Sequence, residues 1–344
     1  MNKTWKKTLA LVLCLLTVVG MFSACGGEGT AEPTETTEAT QPGEEGKILK
    51  VLTLGHSLAV DCGHMLNLIA HTEGYKEMKI ATLYYSGCRL NKHVEFATQG
   101  LPEYNLYISS TETPNQSPEI MEDVTMEQAV TFDYWDIIIM QGGVFEIAED
   151  TTYKQGYIQT IQKFVNKHKR NPNATFAWHM AWATPVDNTL RDKYPYPENN
   201  SYYSSYRKFN DDRSAFYNAI AKCVNDNIMT DETFQFMIPA GTAIENALSS
   251  YLEEKDLHRD YAHASDLGRV IASYTWYCRI AGVDKLEEIK LDVIPKNFFK
   301  STVLPTDRTL TDAEKAIILE SVNNALANPL QMTQSQYTEA PVQQ

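Results

Sequence analysis

A serine hydroxyl follows the apolar run Ile48 to Gly55 (ILKVLTLG), which the pattern predicts to be a strand. Gly55-His56-Ser57-Leu58 leads from this strand into a segment with helical spacing. In such a turn the backbone N–H groups of the helix point at any developing anion, so the position suits a nucleophile. The alternative is that Ser57 only caps the helix, because serine is a favoured N-cap residue. Taken alone, the motif favours the cap.

A carboxylate and an imidazole lie close together late in the chain, in Asp260-Tyr261-Ala262-His263, directly before a predicted helix that begins near Ser265. An imidazole can accept the proton of a serine hydroxyl, and a carboxylate three residues earlier in a turn can fix its tautomer. By itself this spacing is a weak signal, since Asp260 could be a turn residue and His263 a surface side chain. Together with Ser57, the pair predicts a Ser-His-Asp site.

Metal catalysis is the other possibility for this region, because Asp256, His258, Asp260 and His263 crowd eight positions and could hold zinc. However, the chain has no His-Glu-x-x-His motif or similar pair on one helical face. We therefore expect neither a metal ion nor an organic cofactor.

The elements that must position these residues alternate between strand and helix, which predicts an α/β domain. Further strands are predicted at Met78 to Tyr85, Trp135 to Gln141, Thr175 to Trp182 and Gln235 to Ala240. Helices are predicted at about Ala59 to His71, Tyr153 to His168, Asp211 to Asn227, Ser265 to Ile280 and Asp312 to Ala327. The expected fold is a three-layer αβα sandwich around a doubly wound parallel sheet of about five strands.

Two segments interrupt this alternation. Leu101 to Val124 contains three prolines and reads as a long excursion, and Pro185 to Tyr206 is rich in Tyr, Asn and Pro. Long insertions in compact α/β domains are often functional, and ligands bind at the carboxyl ends of the strands. We therefore expect both segments near the site, with the aromatic residues of region 178–206 as weak support for a sugar ligand.

The N-terminal residues are typical of an exported protein. Three lysines precede the apolar run Leu9 to Gly20, which is too short to span a bilayer, and Phe22-Ser23-Ala24-Cys25 resembles a bacterial lipobox. A plain signal peptide that happens to contain a cysteine is the alternative. We predict a lipoprotein signal at 1–24, lipidation at Cys25 and a flexible acidic tether at 25–46. The hydrolase-like domain then spans 47–327, and 328–344 forms a loose tail.

Composition limits the possible partners. Of the 344 residues, 43% are hydrophobic and 22% charged, and 30 basic against 44 acidic residues give a formal net charge of -14. Because this field repels phosphate backbones, nucleic acid is excluded as a partner. Four more cysteines (Cys62, Cys88, Cys223 and Cys278) lack the CxxC spacing of a zinc site or a redox pair. In an exported protein they could form disulfides, but the sequence does not say which would pair.

The blocks identified above resemble the SGNH, or GDSL-like, hydrolase superfamily. Within this superfamily, the sequence looks like the branch that is catalogued as a domain of unknown function, in which a strand ends in Gly-Asn-Ser-Phe instead of Gly-Asp-Ser-Leu. The nucleophile block corresponds to Gly55 to Leu58, and the second block to Gly87-Cys88-Arg89-Leu90 with His93. Trp135 to Gly142 matches the third block and Asp260 to Gly268 the final one. The resemblance implies the flavodoxin-like version of the αβα sandwich.

The resemblance also implies roles for individual residues. Ser57 would be the nucleophile, His263 the general base and Asp260 its orienting carboxylate. The oxyanion hole would use the N–H groups of Ser57 and Gly87. Its third donor in the superfamily is an Asn, where this chain has Gln141, whose amide could donate the same hydrogen bond.

Three further positions of these blocks have less defined roles. Arg89 and His93 are expected at the pocket rim, in contact with substrate oxygens, although His93 could equally be a helix-start residue that faces solvent. His56 stands where Asp or Asn is usual, and we assign it no catalytic role.

The function that these features predict is a cell-surface serine esterase that removes acyl groups from a carbohydrate or similar polar substrate. Its partners would be a small-molecule or glycan ester and, through the lipid anchor only, the outer face of the bacterial cell membrane. A non-catalytic glycan-binding lipoprotein is the alternative, favoured by the departures at His56 and Gln141. An acyltransferase would use the same Ser and His.

We expect the protein to fractionate with membranes in its producing cell, because two acyl chains on Cys25 would hold it firmly there. Cys25→Ala should release it or leave the precursor unprocessed. Fractionation and N-terminal analysis of the mature protein measure both effects. A wild-type protein that is wholly soluble and begins at another residue would contradict the lipoprotein assignment.

Overall fold

A computed structural model of the chain describes residues 48–114, 116–144, 146–186, 190, 208–209, 212–295 and 307–341. Cys25, the signal and tether segments, and most of the Pro185 to Tyr206 insertion lie outside the described residues. Within the part that is described, no helix combines the length and apolarity needed to cross a bilayer.

The centre of the domain is a seven-stranded sheet in the order β4-β3-β2-β1-β5-β6-β7. Its strands are β1 (Leu49–Gly55), β2 (Met78–Tyr84), β3 (Tyr104–Ser110), β4 (Glu119–Val124), β5 (Ile137–Gln141), β6 (Thr175–His179) and β7 (Phe234–Ile238). A separate two-stranded sheet pairs β8 (Val293–Ile294) with β9 (Arg308–Thr309).

Five of the seven strands, β2-β1-β5-β6-β7, run parallel to one another. This is the doubly wound α/β fold that the sequence predicts. The strand order reverses between β1 and β5, because the chain moves outward in one direction through β2 and in the other through β6 and β7. In open sheets of this kind, ligands bind at the carboxyl ends of the strands at such a switch point.

Helices cover both faces of the sheet. They are α1 (Ser57–Thr72), α2 (Leu90–Gln99), α3 (Met126–Phe132), α4 (Asp150–Tyr153), α5 (Tyr157–His168), α6 (Arg213–Asn227), α7 (Ala240–Leu248), α8 (Glu254–Leu257), α9 (Asp266–Ala281) and α10 (Asp312–Ala327). One layer contains α1, α7, α9 and α10, which pack against one another, and α2, α3 and α5 form the second layer.

The prediction of a long excursion at Leu101 to Val124 is wrong, because this segment forms β3 and β4. Both strands are antiparallel, and β3 extends the sheet beyond β2. The three prolines lie outside the strands: Pro102 precedes β3, Pro114 is in the turn, and Pro118 directly precedes β4. Every second residue of β3 is buried at its start, which is the alternation of a strand with one covered face.

The predicted loose tail from residue 328 is also wrong for the part that the structure describes. Its backbone packs along α7: Thr333 N–H donates to Asn246 Oδ1 at 2.8 Å, and Ser335 N–H donates to Ser249 Oγ at 2.8 Å. The Pro329 carbonyl accepts from Thr242 Oγ1 at 2.6 Å. Polar composition suggested looseness, but the segment pairs its backbone groups with side chains of α7.

Candidate active site

Ser57 is the first residue of α1, and Gly55, two residues earlier, is the last residue of β1. The turn between strand and helix is tight. A Cβ on Gly55 would lie 2.5 Å from the amide nitrogen of Gln141 and 2.8 Å from Cβ of Ala59. Only glycine fits at this position, so the strand can end directly beside β5 and present Ser57 at the carboxyl edge of the sheet.

His56, and not Ser57, is the N-cap of α1. Its Nδ1 accepts a hydrogen bond from Leu58 N–H at 3.4 Å, and its Nε2 donates to the Gly142 carbonyl at 3.0 Å. The alternative interpretation of the sequence, in which the serine hydroxyl caps the helix, is therefore wrong. Because the imidazole caps the helix, the hydroxyl of Ser57 is available for another partner.

That partner is His263. Ser57 Oγ lies 2.8 Å from Nε2 of His263, and Nδ1 of the same ring donates to both carboxylate oxygens of Asp260 at 2.9 Å. The carboxylate also accepts the N–H groups of Ala262 and His263 at 2.9 Å each. The structure thus brings together the three residues that the sequence singles out as nucleophile, base and orienting acid.

The Asp260 carboxylate is held in its ionised form. Burial alone would raise its pKa, but the hydrogen bond and charge of His263, together with the two backbone N–H groups, lower the pKa to about 2. In the neutral imidazole, this carboxylate fixes the tautomer in which Nδ1 carries the proton. Nε2 is therefore the acceptor for the serine hydroxyl.

The loop that carries His263 is fixed to α1 by the buried carboxylate of Asp61. Arg259 Nη1 donates to both its oxygens at 2.9 and 3.1 Å, and Arg269 Nε donates to one of them at 3.0 Å. Ala264 N–H also donates to Asp61 at 3.1 Å. Although burial acts to raise the pKa of Asp61, the two arginines hold it below its ordinary value.

The sequence motifs single out none of Asp61, Arg259 and Arg269. Asp61 lies four residues after Ser57 in a helix whose neighbouring positions are mostly apolar, and an acid in that setting is a sign of a buried partner. The partners themselves are about 200 positions away in the chain, so no local pattern reveals them.

A tryptophan ties the same loop to the sheet. Trp182, which follows β6, donates its indole N–H to the Ala262 carbonyl at 2.8 Å. Both Trp182 and Trp178 are fully buried in the core. These two aromatic side chains therefore do not face a ligand. They give no support to the sugar ligand that the aromatic residues of region 178–206 were expected to indicate.

Two backbone N–H donors lie in the turns that follow β1 and β2. Ser57 N–H is at the first position of α1, where a helix provides no acceptor. Gly87 adopts a left-handed φ of 59°, in the turn that follows β2. Within the described part of the chain, neither N–H has a hydrogen-bond acceptor. The turn lies next to β1, since Tyr85 N–H donates to the Gly55 carbonyl at 3.4 Å.

Gln141 ends β5 with its side chain against Gly55. Both atoms of its amide are buried, and neither has a hydrogen-bond partner among the residues that the structure describes. An amide left unsatisfied in this way costs about 1–3 kcal/mol, which a ligand able to accept from it would recover. In the described conformation the amide is closed to solvent, so contact with a ligand at Ser57 requires rotation of the side chain.

The second block is divided between the surface and the core. His93 is fully buried, with Nδ1 at 2.8 Å from the hydroxyl of Tyr104, and burial lowers its pKa to about 3. Both expectations for His93, at the pocket rim or facing solvent, are therefore wrong. Arg89 is partly exposed and lies beside Gly143, in the turn that follows Gln141.

The side chains considered as zinc ligands, Asp256, His258, Asp260 and His263, do not converge on one site. Asp256 accepts the backbone N–H of Glu253 at 2.8 Å in a helix cap, and the buried His258 ring contacts the Glu254 carbonyl at 3.2 Å. In the described ranges, no group of three or more His, Cys, Asp or Glu side chains is arranged to hold a metal ion. The cysteines Cys62, Cys88, Cys223 and Cys278 are buried free thiols.

Comparison with known proteins gives a family and a fold. Residues 50–297 match the family model described as "Domain of unknown function (DUF4886)". None of the curated proteins matches the sequence. The crystal structure of a DUF4886 family protein from Bacteroides uniformis is 19% identical, with a TM-score of 0.68 over 85% of this chain and 100% of that one. At this identity the likeness shows the shared fold.

Two more distant structures are similar at lower scores. A putative SGNH hydrolase from Slackia heliotrinireducens is 15% identical, with a TM-score of 0.40 over 67% of this chain and 98% of that one. An acetylxylan esterase from Geobacillus stearothermophilus is 12% identical, with a TM-score of 0.39 over 68% of this chain and 94% of that one.

Asp61→Asn should destabilise the domain by about 3–5 kcal/mol, because it leaves two largely buried arginines without their shared carboxylate. Urea unfolding at pH 7 measures the loss. The matched control is Asp266→Asn, which removes another partner of Arg269, at 3.4 Å, but leaves the link between α1 and the His263 loop intact. We expect about 1 kcal/mol or less for the control. Equal stability of the two variants would contradict the role assigned to Asp61.

Proposed function

The chain belongs to the DUF4886 family, and from the geometry at Ser57 we propose that it is a serine hydrolase that acts on esters. One observation carries the proposal: a hydroxyl at a helix N-terminus lies 2.8 Å from an imidazole whose other nitrogen is 2.9 Å from a buried carboxylate. A cap or a turn requires no such chain of three groups, whereas an activated nucleophile does.

In the proposed reaction, Ser57 Oγ attacks the ester carbonyl carbon while Nε2 of His263 accepts the hydroxyl proton. Asp260 keeps the proton of Nδ1 in place and stabilises the imidazolium that forms. When the tetrahedral intermediate collapses, His263 delivers the proton to the departing alkoxide, and an acyl-enzyme remains. Water then attacks the acyl-enzyme with the same histidine as base, and the carboxylic acid is released.

The negative charge on the carbonyl oxygen needs hydrogen-bond donors at the site. The N–H groups of Ser57 and Gly87 are proposed for this role, because both are unused by the described residues and lie in adjacent strand-end turns. Gln141 is proposed as the third donor, since its unpartnered amide would gain a hydrogen bond by turning toward Ser57. Arg89, at the partly exposed start of α2, is proposed to contact substrate oxygens.

We propose a polar acylated substrate, such as an acylated carbohydrate, that meets the enzyme outside the cytoplasm. The lipobox-like residues before Cys25 and the acidic tether support an anchored protein at the cell surface. The ordered Ser57–His263 pair supports turnover over simple glycan binding, since binding requires no aligned proton acceptor. Transfer of the acyl group to a sugar would use the same groups and differs only in the final acceptor.

Ser57→Ala should lower ester turnover by at least about 10³-fold with little change in stability, because it removes only the nucleophilic oxygen. The assay uses the full chain with aryl esters of rising acyl length and with acetylated sugars. Ser117→Ala is the matched control, since this exposed serine precedes β4 at the opposite end of the sheet. Product analysis with added sugar separates hydrolysis from transfer. An equally active Ser57→Ala protein would refute the hydrolase proposal.

Gln141→Ala should lower kcat by about 10²- to 10³-fold with little change in KM, if the amide donates mainly in the transition state. Gln141→Glu should be at least as harmful, because it places a negative charge beside a developing one. Steady-state kinetics and melting curves are measured together. Unchanged melting with unchanged kcat in Gln141→Ala would exclude the role and leave Ser57 and Gly87 as the donors.

A further inference from the structure

We propose that His56 is a positioning residue for the reaction at Ser57: one imidazole ring fixes the nucleophile helix to the turn that follows β5. The inference rests on the proposed function and extends it. His56 has no contact with the reacting atoms in that mechanism. Its ring lies between the start of α1 and the turn after β5.

The two ring nitrogens of His56 have opposite roles. Leu58 N–H can only donate, so Nδ1 is the acceptor, at 3.4 Å. The Gly142 carbonyl can only accept, so Nε2 carries the proton, at 3.0 Å. The ring is therefore neutral in a single tautomer. Its complete burial, which lowers its pKa to about 4, is consistent with this assignment.

The contact with Gly142 lies where the sheet no longer holds the two strands together. The pairing of β1 with β5 ends at Leu54 and Met140. Beyond that point the strands continue for one residue each, and the imidazole is the next link between them. Without it, the turn after β5 could move relative to α1, even though the sheet below stayed intact.

Three parts of the site meet at this link. On one side, His56 directly precedes Ser57. On the other, Gly142 directly follows Gln141 and precedes Gly143, where a Cβ would lie 3.1–3.2 Å from Arg89 and from the Cys88 carbonyl. The turns after β2 and β5 are thus packed together, and His56 links the turn after β5 directly to α1. A shift of these two turns relative to α1 would change the distances from Ser57 to the proposed oxyanion donors Gly87 and Gln141.

Side-chain length allows the two bonds of His56 to be tested separately. His56→Asn places an amide oxygen near the site of Nδ1, so it can still cap Leu58, but it is too short to reach Gly142. His56→Gln places an amide N–H near the site of Nε2, so it can still donate to Gly142, but it lacks the capping acceptor. Each variant keeps one bond and loses the other.

We expect His56→Asn to lower kcat for an aryl ester by about 10- to 100-fold with KM nearly unchanged, because misplacement by about 1 Å can cost 10²-fold in rate. His56→Gln should retain kcat within about fivefold of wild type, although loss of the cap lowers its unfolding midpoint. The full chain is used, with kcat, KM, urea unfolding and the rate of Ser57 labelling by a fluorophosphonate measured for each variant.

A His56→Asn protein with the kcat of the wild type would overturn the inference. So would a result in which both variants lose kcat to the same extent and that loss simply follows their loss of stability. Failure of the proposed function gives a different result. In that case the wild-type protein neither hydrolyses esters nor takes the label, Ser57→Ala changes nothing, and the role of His56 is refuted together with the reaction it serves.

Discussion

The site depends on one buried negative charge. Ser57 and His263 are 206 residues apart in the chain, and the sheet positions only the first of them. Asp61 supplies the missing connection, because a carboxylate inside the protein is stable only when its arginine partners are in place. Arg259 and Arg269 flank the His263 loop, so any displacement of the loop from α1 would leave charges unpaired in the core. The contact of 2.8 Å between hydroxyl and imidazole follows from that constraint.

The sheet determines where this arrangement can occur. Because the strand order reverses between β1 and β5, the turns after these two strands lead to opposite faces of the sheet, and such a reversal is where open α/β sheets bind their ligands. Gly55 permits the closest approach of the two strand ends, and Gln141 fills the space that a side chain at Gly55 would otherwise occupy. The same edge brings in Gly87 from β2. The proposed nucleophile and the three proposed oxyanion donors therefore come from adjacent strand ends.

The sequence predicted the parts of the structure that depend on local pattern. Parallel strands covered on both faces appear as apolar runs, and a nucleophile, base and acid require particular residue types. β3 was missed because it has one covered face and prolines on either side. The burial of His93 was missed for a related reason, since its partner Tyr104 lies on that strand. Asp61 was missed because its two arginines are distant in sequence, and no spacing rule describes such a contact.

The histidines near the site differ in what they can do with a proton. His56, His93 and His179 are fully buried, no carboxylate of the described residues lies within hydrogen-bond distance of their rings, and burial lowers their pKa values to about 4, 3 and 3. A proton placed on any of them would leave an unpaired charge in the core. His263 differs, because Asp260 contacts one ring nitrogen, Ser57 contacts the other, and a fifth of its side chain is exposed. Among these four rings, His263 alone has a carboxylate on one nitrogen and a serine hydroxyl on the other, which is the arrangement that the proposed mechanism requires of its base.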